Sequence, residues 1–102
     1  FAFSGYIPAK TDERRQALKS LERRSASEHQ TQIFIETPYR NESLFADILN
    51  ICQNSTELCI AANITMPDAF IRTKTIAEWK KFAAGKNEVI GKRPCVFLIL
   101  GH

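Results

Sequence analysis

The sequence predicts an α/β domain: a mixed parallel and antiparallel sheet of about five strands with three helices, in the order β-α-β-α-β-β-α-β. Three observations carry this. Short apolar runs, among them Ile33-Phe34-Ile35, Leu58-Cys59-Ile60-Ala61-Ala62 and Cys95-Val96-Phe97-Leu98-Ile99-Leu100, alternate with stretches whose apolar residues recur at helical spacing. One link, at Pro67-Asp68, is a tight turn between two strands, so helical crossovers and an antiparallel hairpin share one sheet. And 102 residues, 44% of them apolar, suffice for one core and one domain spanning 1–102.

The elements follow in order. Phe1 to Ile7 alternates weakly and stops at Pro8, a short strand and turn. Thr11 or Asp12 is expected to cap a helix running to about Glu28, and Glu13 suits its positive end. Ala17, Leu18 and Leu21 form a narrow apolar stripe on this otherwise charged helix, which places it at the surface; Ser25-Ala26-Ser27 is expected to weaken its end. Thr31 to Glu36 is a buried strand. Pro38 and Asn41 precede a second helix, about Glu42 to Cys52, with Leu44, Phe45, Ile48, Leu49 and Cys52 toward the core. Glu57 to Ile64 is the next strand and Ala69 to Thr73 its hairpin partner. Thr75 with Glu78 three residues on is a capping box, and the helix Ile76 to Ala84 presents Ile76, Trp79 and Phe82. A polar loop, Gly85 to Gly91, leads to a final buried strand, Arg93 to Leu100.

Net charge is +3, short of the dense field of an obligate nucleic-acid binder. The cations nonetheless cluster. Lys10, Arg14, Arg15, Lys19, Arg23 and Arg24 form one group; Lys80, Lys81, Lys86, Lys92 and Arg93 form another. Solvated helix faces and a loop are the plain reading, and a surface for an anionic partner is the alternative. Cys52, Cys59 and Cys95 are odd in number and lack C-x-x-C spacing, so buried free thiols in a reducing compartment are expected. His29 and His102 are not spaced for zinc, and no metal is predicted. The Asn-x-Ser/Thr triplets at Asn41, Asn54 and Asn63 read as chance matches, and no apolar run reaches membrane-spanning length.

No stand-alone catalytic constellation emerges. G-x-S-x-G, the Walker loop and G-x-G-x-x-G are all absent. His29 reads as an exposed loop residue and Trp79 as packing. Glu36 is the odd residue, a carboxylate ending the apolar run Ile33-Phe34-Ile35 where a strand passes into a turn, the place α/β proteins use for ligands. As a strand terminus it would cap a helix or pair with a cation such as Arg40. Glu36-Thr37, Asn63-Ile64-Thr65 and Arg93-Pro94 each flank a predicted buried strand. If those strands are neighbours, their ends line one edge, able to hold a flat heterocycle by backbone groups.

Several stretches combine into a recognisable pattern. Phe3-x-Gly5-Tyr6-Ile7-Pro8-x-Lys10 with Glu13-Arg14-Arg15 and Leu18 is similar to F-x-G-F-L-P-x-K…E-R-R, and Ile33 to Arg40 to L-V-F-Y-E-S-P-H-R. Arg72, Thr75-Ile76 and Glu78-Trp79 resemble R-x-x-x-G-T-L-x-E-L, with Lys74 where glycine is usual. Arg93 to Gly101 resembles S-P-x-L-I-I-I-G. From Phe3 to Gly101 the chain thus resembles the C-terminal domain of the tetrapyrrole methylase family of S-adenosylmethionine-dependent methyltransferases, with the first two motifs most like its ribosomal-RNA ribose-methylating branch. Ala61-Ala62-Asn63-Ile64-Thr65-Met66-Pro67 departs from that branch's A-R-E-L-T-K and is more like the N-G/A-T-x-P of the corrin and porphyrin methylases.

The resemblance implies the C-terminal half of a two-domain, bacterial, cytoplasmic enzyme whose glycine-rich N-terminal domain is not in this chain. The cofactor S-adenosylmethionine would lie between the domains. Its adenine would meet mainly backbone, at Glu36, Ile64 and Pro94. Arg14, Arg15 and Arg40 would face the acceptor, ribosomal RNA on the first reading and a corrin or porphyrin on the second. Such a half is expected to be inactive alone and to belong to a homodimer. A non-catalytic RNA-binding or dimerisation module is the alternative of another class.

Overall fold

The computed structural model describes every residue except Phe1, Ala9, Thr37, Pro38, Tyr39, Ile64, Thr65, Asp68, Asn87, Glu88, Lys92, Arg93 and His102. Its elements are β1 (Ala2–Tyr6), α1 (Thr11–Glu28), β2 (Gln32–Glu36), α2 (Asn41–Ile51), β3 (Glu57–Ala62), β4 (Phe70–Thr75), α3 (Ile76–Ala83) and β5 (Cys95–Leu100). The order and the mixed sheet match the expectation. The strands lie in the order β1-β2-β5-β3-β4. A helix separates β1 from β2, and the two pair in parallel, as a crossover requires. The last strand, β5, enters the middle and runs antiparallel to both β2 and β3, while β3 and β4 form the hairpin.

Strand alternation decides which side is the core. Gln32, Phe34 and Glu36 of β2, Cys95, Phe97 and Ile99 of β5, and Leu58, Ile60 and Ala62 of β3 are buried. Against this face α1 lays Leu18 and Leu21, α2 Leu44, Phe45 and Ile48, and α3 Ile76 and Trp79. Phe34 and Phe97 stack with centroids 5.7 Å apart; Phe45 meets Trp79 edge-on at 5.5 Å. Trp79 is packing, as expected, and its buried indole N–H donates to the Leu58 carbonyl at 2.8 Å. On the opposite face Ile33, Ile35, Val96 and Leu98 are only half-buried, and Phe3 and Ile71 are 64% and 60% exposed. No helix covers this side among the described residues.

Several local expectations change. The N-cap of α1 is Lys10 with no side-chain cap bond, rather than Thr11 or Asp12; Asp12 and Glu13 instead place negative charge in the first turn. The helix stops at His29, which is exposed as expected and adopts the left-handed conformation at φ 51°. Ser25 does not weaken the helix. It is buried, its hydroxyl donates to the Ile99 carbonyl at 3.4 Å, and it accepts the Gly101 N–H at 2.9 Å, tying α1 to the end of β5. The contact demands a glycine, since a Cβ on Gly101 would lie 2.8 Å from the Glu22 carbonyl oxygen. Gly5, at φ 73°, sits at a register shift in β1 that a side chain would strain. In the strands, β4 runs on to Thr75, β3 is described to Ala62, and β5 begins at Cys95. The expected extensions do not form: Asn63 turns out of the strand at φ 51° and Pro94 precedes β5, while Ile64 and Arg93 lie outside the described residues.

All three cysteines are free, Cys52 and Cys95 buried and Cys59 half-buried. Burial, then the neighbouring Glu22 carboxylate, pushes the Cys52 thiol up to about 12. At the start of α3 the capping box forms as expected. Thr75 Oγ1 accepts the Glu78 N–H at 3.2 Å and Glu78 Oε1 accepts the Thr75 N–H at 2.9 Å. These Thr75 donors hold the Glu78 carboxyl below its ordinary 4.5. A folded-state pKa below the unfolded one means that the contribution is present above about pH 4.5 and fades as pH falls. In urea unfolding, Thr75→Ala is expected to lower stability by about 1 kcal/mol at neutral pH and by less in acid. An equal loss at both would contradict this reading of the cap.

Candidate functional site

Because β5 lies between β2 and β3, Glu36 and Ala62 are both register partners of Cys95. Three strand ends therefore come level at one edge of the sheet. The Asn63 N–H donates to the Pro94 carbonyl at 3.0 Å, carrying the ladder one step past the strands. Asn63 then turns the chain at φ 51°, a conformation asparagine tolerates better than most residues. Met66, whose N–H bonds to the Asn63 carbonyl at 2.9 Å, projects 56% exposed beside this ledge, and Pro94 is exposed. The geometric expectation that these ends share an edge is met for Glu36, Asn63 and Pro94. Thr37, Ile64 and Arg93 lie outside the described residues.

Glu36 does not direct its carboxylate into the ledge. It belongs to the buried face of β2 and is 4% exposed. Arg14, 3% exposed, approaches from α1, with Nη2 3.4 Å from Glu36 Oε2. The same guanidinium donates through Nη1 to Asp47 Oδ2 at 3.2 Å and Ser43 Oγ at 3.0 Å, and through Nε to the Pro8 carbonyl at 3.3 Å. Arg40, half-exposed, adds an outer contact, Nη1 to Glu36 Oε1 at 3.8 Å. Of the three arginines marked for the acceptor, the structure places Arg14 inside, Arg15 exposed on α1 and Arg40 at the rim. Pairing of Glu36 with Arg40 was legible in the sequence; the stronger partner Arg14 was not.

A second clamp fixes the other side. Oε1 of Glu42, in the first turn of α2, accepts the N–H groups of Val89, Ile90 and Gly91 at 2.5, 2.6 and 3.1 Å. Three successive amides around one carboxylate oxygen anchor the loop that delivers Pro94. Ile90 is buried beneath. Sequence reasoning took this loop as simply polar; its signal was the apolar pair Val89-Ile90.

A cavity of about 640 Å³ lies at the far end of the sheet between α1 and the end of α2, lined by Lys19, Glu22, Ile51, Gln53, Thr56 and Gly101. Its Glu22 carboxylate is already engaged, accepting the Gln53 N–H at 2.7 Å and the Thr56 hydroxyl at 2.5 Å. Among the described residues no group of three His, Cys, Asp or Glu is placed to hold a metal, and no helix is long and apolar enough to cross a membrane.

A mixed sheet with helices on one face and three strand ends level at one edge defines an α/β domain. No family model matches the sequence. Over its whole length, however, the chain is similar to the ribosomal RNA small subunit methyltransferases I. It is 29% identical over 102 residues to that of Pseudomonas aeruginosa and 30% identical over 105 residues to that of Escherichia coli O157:H7. It covers 34% of the length of each, so it spans about a third of these curated relatives. Two solved structures share the fold. The cobalt precorrin-4 methyltransferase CbiF has a TM-score of 0.57 at 12% identity, over 96% of this chain and 39% of that one. The methyltransferase CobJ has a TM-score of 0.52 at 13% identity, over all of this chain and 47% of that one. The whole-chain similarity to these RNA methyltransferases agrees with the resemblance that its motifs carry.

The ion-pair network yields a direct test. Removing Arg14 strands a buried carboxylate, so Arg14→Met is expected to cost about 3–5 kcal/mol in urea unfolding. Arg14→Met/Glu36→Leu, which removes both charges, is expected to recover part of that loss. A double variant less stable than the single one would contradict the pairing.

Proposed function

We propose that this chain is the C-terminal domain of a two-domain, cytoplasmic, S-adenosylmethionine-dependent methyltransferase acting on a ribose 2′-hydroxyl of small-subunit ribosomal RNA. The observation that carries the proposal is the whole-chain similarity to two enzymes named for that RNA. The remaining two thirds of such an enzyme would supply the glycine-rich loop and the other wall of the cleft. The ledge suits its share of the task. Adenine is flat and neutral, and this edge offers an exposed Met66 and Pro94 and a Glu36 charge already answered by Arg14. Glu36 and Ile64 would hold the adenine by main-chain groups, with Pro94 closing the edge from the last strand.

The bound cofactor supplies an electrophilic methyl on a sulfonium. The ribose oxygen would take that methyl, with the electron pair of the broken carbon–sulfur bond left on sulfur and the hydroxyl proton passed to solvent. Such a displacement asks the protein chiefly for alignment. Arg40 and Arg15, both exposed, would face the acceptor. A second copy is proposed to cover the open sheet face, where Phe3, Ile33, Leu98 and Ile71 would otherwise stay wet.

Labelled methyl transfer tests this reading. The full-length protein is expected to methylate unmodified small-subunit ribosomal RNA, and the chain by itself is expected to transfer nothing. Transfer to a corrin or porphyrin in place of RNA would favour the second branch, and transfer by the isolated chain would refute the division of labour.

A further inference from the structure

We propose that the β4–α3 edge is a seat for RNA phosphates, formed by Arg72, Lys74 and Lys86 gathered on the ring of Phe82. The choice of RNA among polyanions rests on the function proposed above. Lys86 Nζ lies 4.7 Å from the Phe82 centroid, Lys74 Nζ 5.2 Å, and the Arg72 guanidinium 6.0 Å. Arg72 also stands over Phe70 at 5.2 Å. The ring cannot turn away, because it meets Trp79 edge-on at 5.5 Å and Trp79 is fully buried.

Three cations on one ring are a poor stabilising device. Each contact is worth about 0.5–1 kcal/mol at an exposed site, and mutual repulsion at similar range offsets it. None of the three has a carboxylate within ion-pair distance among the described residues; the ion pairs there join Arg14 and Arg40 to Glu36 and Asp47. Glu78 is within electrostatic reach of Lys74 and Lys81, and its Oε1 accepts hydrogen bonds from the Thr75 N–H and hydroxyl. Lys80 spends its ammonium on a neutral acceptor, Asn54 Oδ1, at 2.9 Å. The positive field at this edge is therefore largely unanswered.

The layout favours a nucleic-acid strand over an acidic peptide. Arg72 and Lys74 are alternate residues of an edge strand, so they share a face about 6.6 Å apart, comparable with successive phosphates along a strand. Arg72 offers a planar fork for phosphate oxygens and the lysines compact charges. The aromatic rings below are covered by the cations and offer no groove for peptide side chains. Position agrees as well: Phe70 is the register partner of Ala62, which pairs with Cys95 at the ledge, so RNA seated here passes one strand from the strand ends. On α1, by contrast, Lys19, Arg23 and Arg24 alternate with Asp12, Glu13, Glu22 and Glu28.

Fluorescence anisotropy of a short single-stranded RNA with the 102-residue chain, over a series of salt concentrations, tests the seat. Arg72→Ala/Lys74→Ala/Lys86→Ala is expected to weaken binding about tenfold or more. It should also lower the slope of log affinity against log salt by about 2, at about 0.7 per lost phosphate contact. Lys19→Ala/Arg23→Ala/Arg24→Ala removes the same charge and is expected to change both much less. Lys86→Glu, a single exposed change, is expected to move affinity in the same direction as the first triple. Equal losses from the two triples, an unchanged slope in the first, or a polyglutamate peptide competing as well as RNA would overturn the seat. Because the readout is binding, these results stand apart from methyl transfer: the full-length protein failing to methylate RNA would sink the proposed function instead.

Discussion

One guanidinium holds the ledge together. Arg14 reaches from α1 to the last residue of β2, to Ser43 and Asp47 on α2, and to the Pro8 carbonyl before its own helix. Burying charges is expensive, and the expense is met only when partners are close and donors are used. Here the two carboxylates and two neutral oxygens around it meet that condition. The consequence reaches beyond stability. The Glu36 charge is thereby answered from inside the domain rather than at the strand-end edge. Glu42 does the matching service on the other side, gathering three amides of the loop before Pro94.

The sheet order gives these clamps their meaning. A chain that simply added strands outward would separate the ends of β2 and β3 from the start of the last strand. Instead β5 enters between them and brings Glu36, Cys95 and Ala62 level. All three helices lie on one face. On the face away from the helices, Phe3 and Ile71 are exposed and Ile33, Ile35, Val96 and Leu98 half-buried among the described residues. The cations on Phe82 mark another surface, at the free side of β4.

Much of this was readable because it is local. Leu58 to Ala62 is an apolar run of strand length, Thr75 and Glu78 sit three residues apart, and Trp79 falls at core spacing within its own helix. Glu36 stood out for the same reason, as a charge ending an apolar strand. What escaped were pairings between distant residues. Arg14 and Glu36 are 22 residues apart, and Glu42 meets amides 47 to 49 residues away. Nothing local distinguishes Arg14 from Arg15, yet one is buried and the other exposed, because helix rotation against β2 and α2 decides it. Ser25 misled for a related reason. Its low helix propensity is a local fact, while its bonds to Ile99 and Gly101 depend on where β5 ends.

The most direct measurement is a crystal structure of the full-length protein with S-adenosylmethionine or its demethylated product bound. The adenine is expected at the ledge, within hydrogen-bond distance of main-chain groups of Glu36 and Ile64 and against Pro94, with the Arg14–Glu36 pair intact beneath. An adenine bound elsewhere, such as the cavity lined by Glu22 and Gly101, or a ledge covered by protein with no access for a ligand, would contradict it.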